Sequence, residues 1–249
     1  MTSDPDPDPA ACRFVGLGLE AVDAHGVATV WAALLGRELA ATEGGGWRTV
    51  PAAGESAPLG LRVLPAADPR AGSTRVRLDV QLAAHDVVAP LVAGATLVSA
   101  PGNGGSWWVL ADPEGNQLHA MPPPPPELHI PPVDATTPFE LVVEAVEPQA
   151  IAEWWAERTG GRARTRPGVT FWWVEGAAGF PLMFWMFLAQ SGPKVEENRM
   201  QWDVVLRDDS PQPLLDSGAT VLRAPDDDQH HWVLADPEGN EFRAFLPET

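Results

Sequence analysis

The sequence predicts an α+β chain made of two tandem copies of one domain, each copy holding two β-α-β-β-β units. The string WVLADPEGN occurs at residues 108–116 and again at 232–240, an offset of 124 residues. The same offset carries Gly94-Ala95-Thr96 onto Gly218-Ala219-Thr220, Asp79 onto Asp203, Gly36 onto Gly160, Trp31 onto Trp155 and Glu20 onto Glu144, with no net gap. A period this long marks duplicated domains rather than a solenoid of short repeats. Between the copies lies MPPPPPELHIPPVDATTP, where consecutive prolines remove backbone donors and favour a stiff extended spacer. The expected organisation is a disordered tail over 1–12, a first domain over 13–121, a Pro-rich linker over 122–137 and a second domain over 138–247.

Each element has a local reason. Residues 14–21 alternate as a strand, 24–35 carry apolar residues at helical spacing up to Gly36, and 47–50 and 59–64 read as strands. A second round follows, with a strand over 75–82, a helix over 86–92 ended by Gly94, and strands over 95–98, 106–110 and 117–121. Copy two repeats the order with strand 139–145, helix 148–158, strands 169–175, 181–189 and 199–206, a helix end at 214–217 and three final strands. The DPEGN segment has turn chemistry: Pro presets φ, and Gly-Asn tolerates positive φ.

Composition bounds the partners. Sixteen Lys+Arg against 34 Asp+Glu give a formal charge of -18, which disfavours phosphate backbones and anionic membranes. The single cysteine, Cys12, excludes an intramolecular disulfide and a thiolate metal cage, and it falls in the expected tail. With neither a secretory signal pattern nor an apolar run approaching a membrane span, a cytoplasmic location is expected.

LLG at the end of the first helix, the RLD and QWD strands, GAT after the second helix and WVLADPEGN before the last strand resemble the glyoxalase/bleomycin-resistance/extradiol dioxygenase, or vicinal oxygen chelate, superfamily. The resemblance implies vicinal-oxygen-chelate domains in which two βαβββ modules form an open half-barrel. It also implies that a metal, when present, is held by side chains of the first, fourth, fifth and eighth strands. Those positions fall here on Gly16, Arg77 and His119 in copy one and on Glu140, Gln201 and Arg243 in copy two. The fourth strands offer only apolar residues around Leu61 and Trp185. An arginine stays protonated and repels a dication, so no metal and no other cofactor is expected. Arg77–Asp79 and Arg243–Glu140 are the expected ion pairs, each replacing a metal or anchoring a polar ligand group. His230-His231, after Asp226-Asp227-Asp228, reads as an exposed turn, while His85 and His129 read as helix-start and linker residues.

Eleven Trp and no Tyr are unusual. Trp172, Trp173, Phe184, Trp185, Phe187, Trp202 and Trp232 fall on strands of copy two, and alternation places about half on the open face. The resulting expectation is a metal-independent protein that binds or sequesters a small, partly aromatic molecule through Trp173, Trp185, Gln201, Asp203, Arg243, Glu140, Arg77 and His119. The alternative is a metal-free lyase or isomerase of the same superfamily using His119, Glu140 or Asp203 to handle protons. The two copies are expected to pair within the chain, as a monomer or a homodimer, without nucleic-acid or membrane partners.

Overall fold

The computed structural model describes residues 10–51, 59–67, 75–102, 105–125, 133–190, 192, 194–227 and 229–247. Expectations for residues 1–9, for His129 and the centre of the Pro-rich linker, and for Asp228 lie outside the described residues. The first unit is β1 (Cys12–Ala21), α1 (Ala24–Leu34), β2 (Glu38–Ala41), β3 (Trp47–Val50) and β4 (Leu61–Pro65). The second is β5 (Val76–Gln81), α2 (Val88–Val92), β6 (Thr96–Ser99), β7 (Trp108–Ala111) and β8 (Gln117–Met121). The third is β9 (Thr137–Ala145), α3 (Pro148–Thr159), β10 (Arg162–Arg164), β11 (Phe171–Glu175) and β12 (Phe184–Ala189). The fourth is β13 (Met200–Leu206), α4 (Gln212–Asp216), β14 (Thr220–Arg223), β15 (His231–Ala235) and β16 (Glu241–Phe245).

Two strands escape a reading by hydrophobic periodicity. β2 and β10 are edge strands of four and three residues, too short for an alternation to register. Cys12 is a correction: it is the first residue of β1, 2% exposed, not part of a tail. Burial pushes its thiol up to about 12, so the group is protonated and unreactive.

Among the described residues the strands form two eight-stranded sheets, β14-β15-β16-β13-β1-β4-β3-β2 and β10-β11-β12-β9-β5-β8-β7-β6. Each sheet takes one unit from each copy. The first joins units one and four through antiparallel β1–β13, and the second joins units two and three through antiparallel β5–β9. Every trough is therefore composite, which regroups the site positions expected copy by copy.

The copies are tied by contacts that repeat at the 124-residue offset. Arg199 donates to the Glu114 carbonyl and to Asn116 Oδ1, in the turn of copy one. Its equivalent, Arg75, lies 3.8 Å from Glu238 in the turn of copy two. Within each copy the turn aspartate accepts the indole N–H of the first helix, Trp31 to Asp112 at 3.1 Å and Trp155 to Asp236 at 3.2 Å. Each aspartate also accepts backbone N–H groups of its own turn, from Glu114 and Asn116 and from Glu238 and Asn240. The acidic turns are thus structural. One apolar core joins the inner faces of both sheets and the helices, with Trp31, Trp155, Trp185 and Trp202 fully buried in it.

Candidate functional site

Alternation sorts the second sheet cleanly. Val76, Leu78 and Val80 of β5, Leu118 and Ala120 of β8, and Leu141 and Val143 of β9 join the core. The intervening Arg77, Asp79, His119 and Glu140 therefore share the open face. Asp79 stands opposite Glu140 across β5–β9, and His119 sits on the other neighbour of β5. Asp79, fully buried, accepts from Arg77 Nε at 3.1 Å and from the His119 backbone N–H at 2.8 Å. The expected Arg77–Asp79 pair is therefore present. Arg77 also lies 3.6 Å from Glu144.

Burial raises the Asp79 carboxyl to about 6 against the pull of Arg77 and the two hydrogen bonds. Glu140, 6% exposed, is raised to about 8 by burial and then by the charge of Asp79, Arg77 acting in the other direction. His119 is lowered to about 4 by burial and by Arg77, so its ring is neutral at pH 7 even though Nδ1 is 3.5 Å from Asp79. That ring stacks on Trp107 at 5.2 Å.

The polar row runs into an aromatic wall. Phe184 is the cross-strand neighbour of Glu140 on β12, and its ring meets Phe139 at 5.9 Å and Trp173 at 6.1 Å. Phe171 follows on β11, 6.2 Å from Trp173. All four rings are half-buried, as expected for a wall. Trp185, expected among them, points the other way. It is fully buried between Trp155, Trp202, Phe180 and Phe187. Neighbouring strand residues face opposite sides, so a one-residue shift exchanges wall for core.

The first sheet holds the remaining positions. Gly16 of β1, Asp203 of β13 and Arg243 of β16 lie in register across three strands. Arg243 donates from Nε to Asp203 Oδ1 at 2.7 Å, with both side chains 4% exposed. Gln201 is buried beside them. The expected Arg243–Glu140 pair is corrected: Glu140 lies in the other sheet, and Asp203 is the partner of Arg243. Gly18 makes the room, since a Cβ there would stand 1.6 Å from Arg243 Nη2. The fourth-strand position expected around Leu61 is corrected by one residue: Leu61 faces the core, and Arg62 reaches Asp203 Oδ2 at 2.6 Å. His231 is a further correction. It opens β15, half-buried and stacked on Phe245 at 4.8 Å, and burial with Arg243 nearby lowers it to about 4. His230 and His85 are exposed.

Regrouping brings Glu140, Arg77 and His119 to one sheet and Gly16, Gln201 and Arg243 to the other. Among the described residues no three His, Cys, Asp or Glu side chains are placed to hold a metal ion. A guanidinium occupies each row, and the donor sets do not fit a superfamily metal.

The sequence profile described as glyoxalase-like domain matches residues 16–121 and again 140–245. The chain belongs to the glyoxalase-like domain family. It is thereby a tandem-domain member of the vicinal oxygen chelate superfamily. Solved structures with the same arrangement include glyoxalase I from Zea mays, 13% identical, with a TM-score of 0.58 over 94% of this chain and 92% of that one. A putative dioxygenase from Bacillus subtilis subsp. subtilis str. 168 is 10% identical, with a TM-score of 0.62 over 97% of this chain and 87% of that one. No curated protein matches the sequence. Identities this low establish the glyoxalase-like fold alone. Among the described residues no helix is long and apolar enough to cross a membrane.

Proposed function

We propose that this glyoxalase-like protein binds, and so sequesters, a small, partly aromatic molecule on the open face of the second sheet, without a metal. One observation carries the reading: the half-buried rings of Phe171, Trp173, Phe184 and Phe139 run directly into the polar row of Glu140, Asp79, Arg77 and His119. Rings stack on a planar ligand at about 0.5–1.5 kcal/mol per pair beyond area burial. The adjoining polar groups orient its heteroatoms, the division of labour usual in small-molecule sites. Uncharged N-phenyl-1-naphthylamine is the probe for this wall. Trp173→Ala is expected to weaken its binding about tenfold, equivalent to about 1.4 kcal/mol, and prior treatment with chelator is expected to leave it unchanged. Undiminished fluorescence enhancement in Trp173→Ala, or loss on chelation, would overturn the reading.

The pairing of Asp79 with Glu140 favours a second reading, proton transfer by a metal-free lyase or isomerase. A carboxyl raised to about 8 carries its proton at neutral pH beside an aspartate that has lost its own, so the row holds both an acid and a base. The expected signature is solvent-deuterium incorporation into carbonyl compounds offered to the protein, read by NMR. It should be abolished in Glu140→Gln while naphthylamine binding persists. Absence of exchange across a panel of hydroxy- and oxo-acids would leave binding as the function of the face.

A further inference from the structure

The first sheet carries a separate cavity whose chemistry differs from that of the aromatic wall. Its volume is about 410 Å³, and Arg48, Arg62, Asp203, Phe245, Val15 and Pro51 stand around it. Arg48 and Arg62 are directly opposite each other on β3 and β4. Like charges in that position destabilise a strand pair unless something neutralises them. Among the described residues lining the cavity the one carboxylate is Asp203, and it is already shared: Arg62 takes Oδ2 at 2.6 Å and Arg243 takes Oδ1 at 2.7 Å. Arg48 is exposed and has no ion-pair partner among the described residues. Two guanidinium groups thus share one carboxylate and a third, that of Arg48, stands at the same cavity, in a chain whose formal charge is -18. Local positive charge in so acidic a molecule is a directional feature, because it attracts small anions that the rest of the surface repels.

We infer that this cavity is an anion site for the carboxylate of a small aromatic acid, held between Arg48 and Arg62. Among the described residues Arg62 spends one N–H on Asp203, which leaves its remaining donors for a ligand, and its side chain is 33% exposed. Asp203 and the face of Phe245, 5.3 Å from the guanidinium carbon, hold that fork in one orientation. A planar guanidinium matches a carboxylate through two parallel hydrogen bonds, and Arg48 supplies the second charge from the facing strand. Val15, Pro51 and Phe245 supply apolar walls for the ring. Gly16 lines the floor, and a side chain there would meet the Gly60 carbonyl at 2.7 Å. The ligand's negative charge removes the Arg48–Arg62 conflict, so binding and strand pairing reinforce each other. This inference is independent of the naphthylamine site, because the two lie on different sheets.

Calorimetric titration with benzoate at low salt tests it. Wild type is expected to bind one benzoate per chain. Arg48→Gln removes an exposed side chain and one of the two facing like charges, and is expected to hold or slightly raise the melting temperature of the ligand-free protein while weakening benzoate at least about tenfold. Trp173→Ala is expected to bind benzoate like wild type, and benzamide, equal in shape but uncharged, is expected not to bind wild type at this site. Equal benzoate affinity in Arg48→Gln, loss of binding in Trp173→Ala, or absence of benzoate binding by wild type would each overturn the inference. Displacement of benzoate by inorganic phosphate at lower concentration would overturn the carboxylate assignment.

Discussion

Replacing Arg243 by Met is expected to cost about 3–5 kcal/mol of folding stability, because it leaves Asp203 buried with half of its charge compensation gone. The lower end of that range is expected, since Arg62 still reaches the other carboxylate oxygen from the partly exposed side. Asp203→Asn leaves Arg243 as the uncompensated group and should cost a similar amount. The double variant should cost less than the sum of the two, giving a coupling of about 1–3 kcal/mol. Combining Arg243→Met with Glu140→Gln should instead be additive within about 0.5 kcal/mol, because those residues belong to different sheets. Urea denaturation of six proteins, namely wild type, the single variants Arg243→Met, Asp203→Asn and Glu140→Gln, and the two double variants, measures both quantities. Coupling between Arg243 and Glu140, with none between Arg243 and Asp203, would contradict the composite sheets themselves. Single variants as stable as wild type would mean that the Arg243–Asp203 pair is open to water.

The second large effect is an inverted pH dependence. The Glu140 carboxyl is raised from an ordinary 4.5 to about 8 in the folded protein, by burial first and by Asp79 second. A carboxyl whose folded pKa lies above its unfolded one binds protons more tightly in the native state. Its contribution is therefore fully present below about 4.5 and is lost as pH rises through about 8. Ionised Glu140 should then cost on the order of 3 kcal/mol at pH 9 relative to pH 5, allowing for the side chain's residual exposure. Asp79 and Asp236, both raised to about 6 chiefly by burial, act in the same direction over a lower window. Arg77 faces Glu140 and opposes the effect, while neutral His119 adds no charge above pH 5. Glu140→Gln has no carboxyl to ionise, so it should be nearly neutral at pH 5 and stabilising at pH 9. A variant that loses equal stability at both pH values would show that Glu140 is ionised throughout, and the acid role proposed for it would fall with that result.

The WVLADPEGN repeat, the constant 124-residue offset and the turn chemistry were enough to predict two copies, four units and the place of most strands and helices. These are local properties. A Pro-Glu-Gly-Asn turn closes on its own aspartate, and an alternating strand sorts its residues into two faces wherever it is placed. The same locality explains why Phe171 and Trp173 could be assigned to one face, and why Arg77 and Asp79 could be paired, from spacing alone. It fails at Leu61 and Trp185, the expected trough positions, which both face the core while the adjoining Arg62 and Phe184 face the trough, because the absolute phase of a strand depends on which side the core occupies.

What only the tertiary structure decided is which unit pairs with which. The edge of β1 meets β13, the equivalent of β5 in the other copy, and repeated units offer either partner the same alternating strand. Nothing local to β1 distinguishes those partners. The choice rests on contacts made after the chain has closed, among them Arg199 on the turn of copy one and Arg75 near the turn of copy two. It moved Glu140 to Asp79 and His119, and Arg243 to Asp203 and Arg62. The amino acids determined which charged groups the troughs would contain, while the pairing of modules determined which charges would meet, since Coulomb interactions and hydrogen bonds act over a few ångströms of space and are indifferent to separation along the chain.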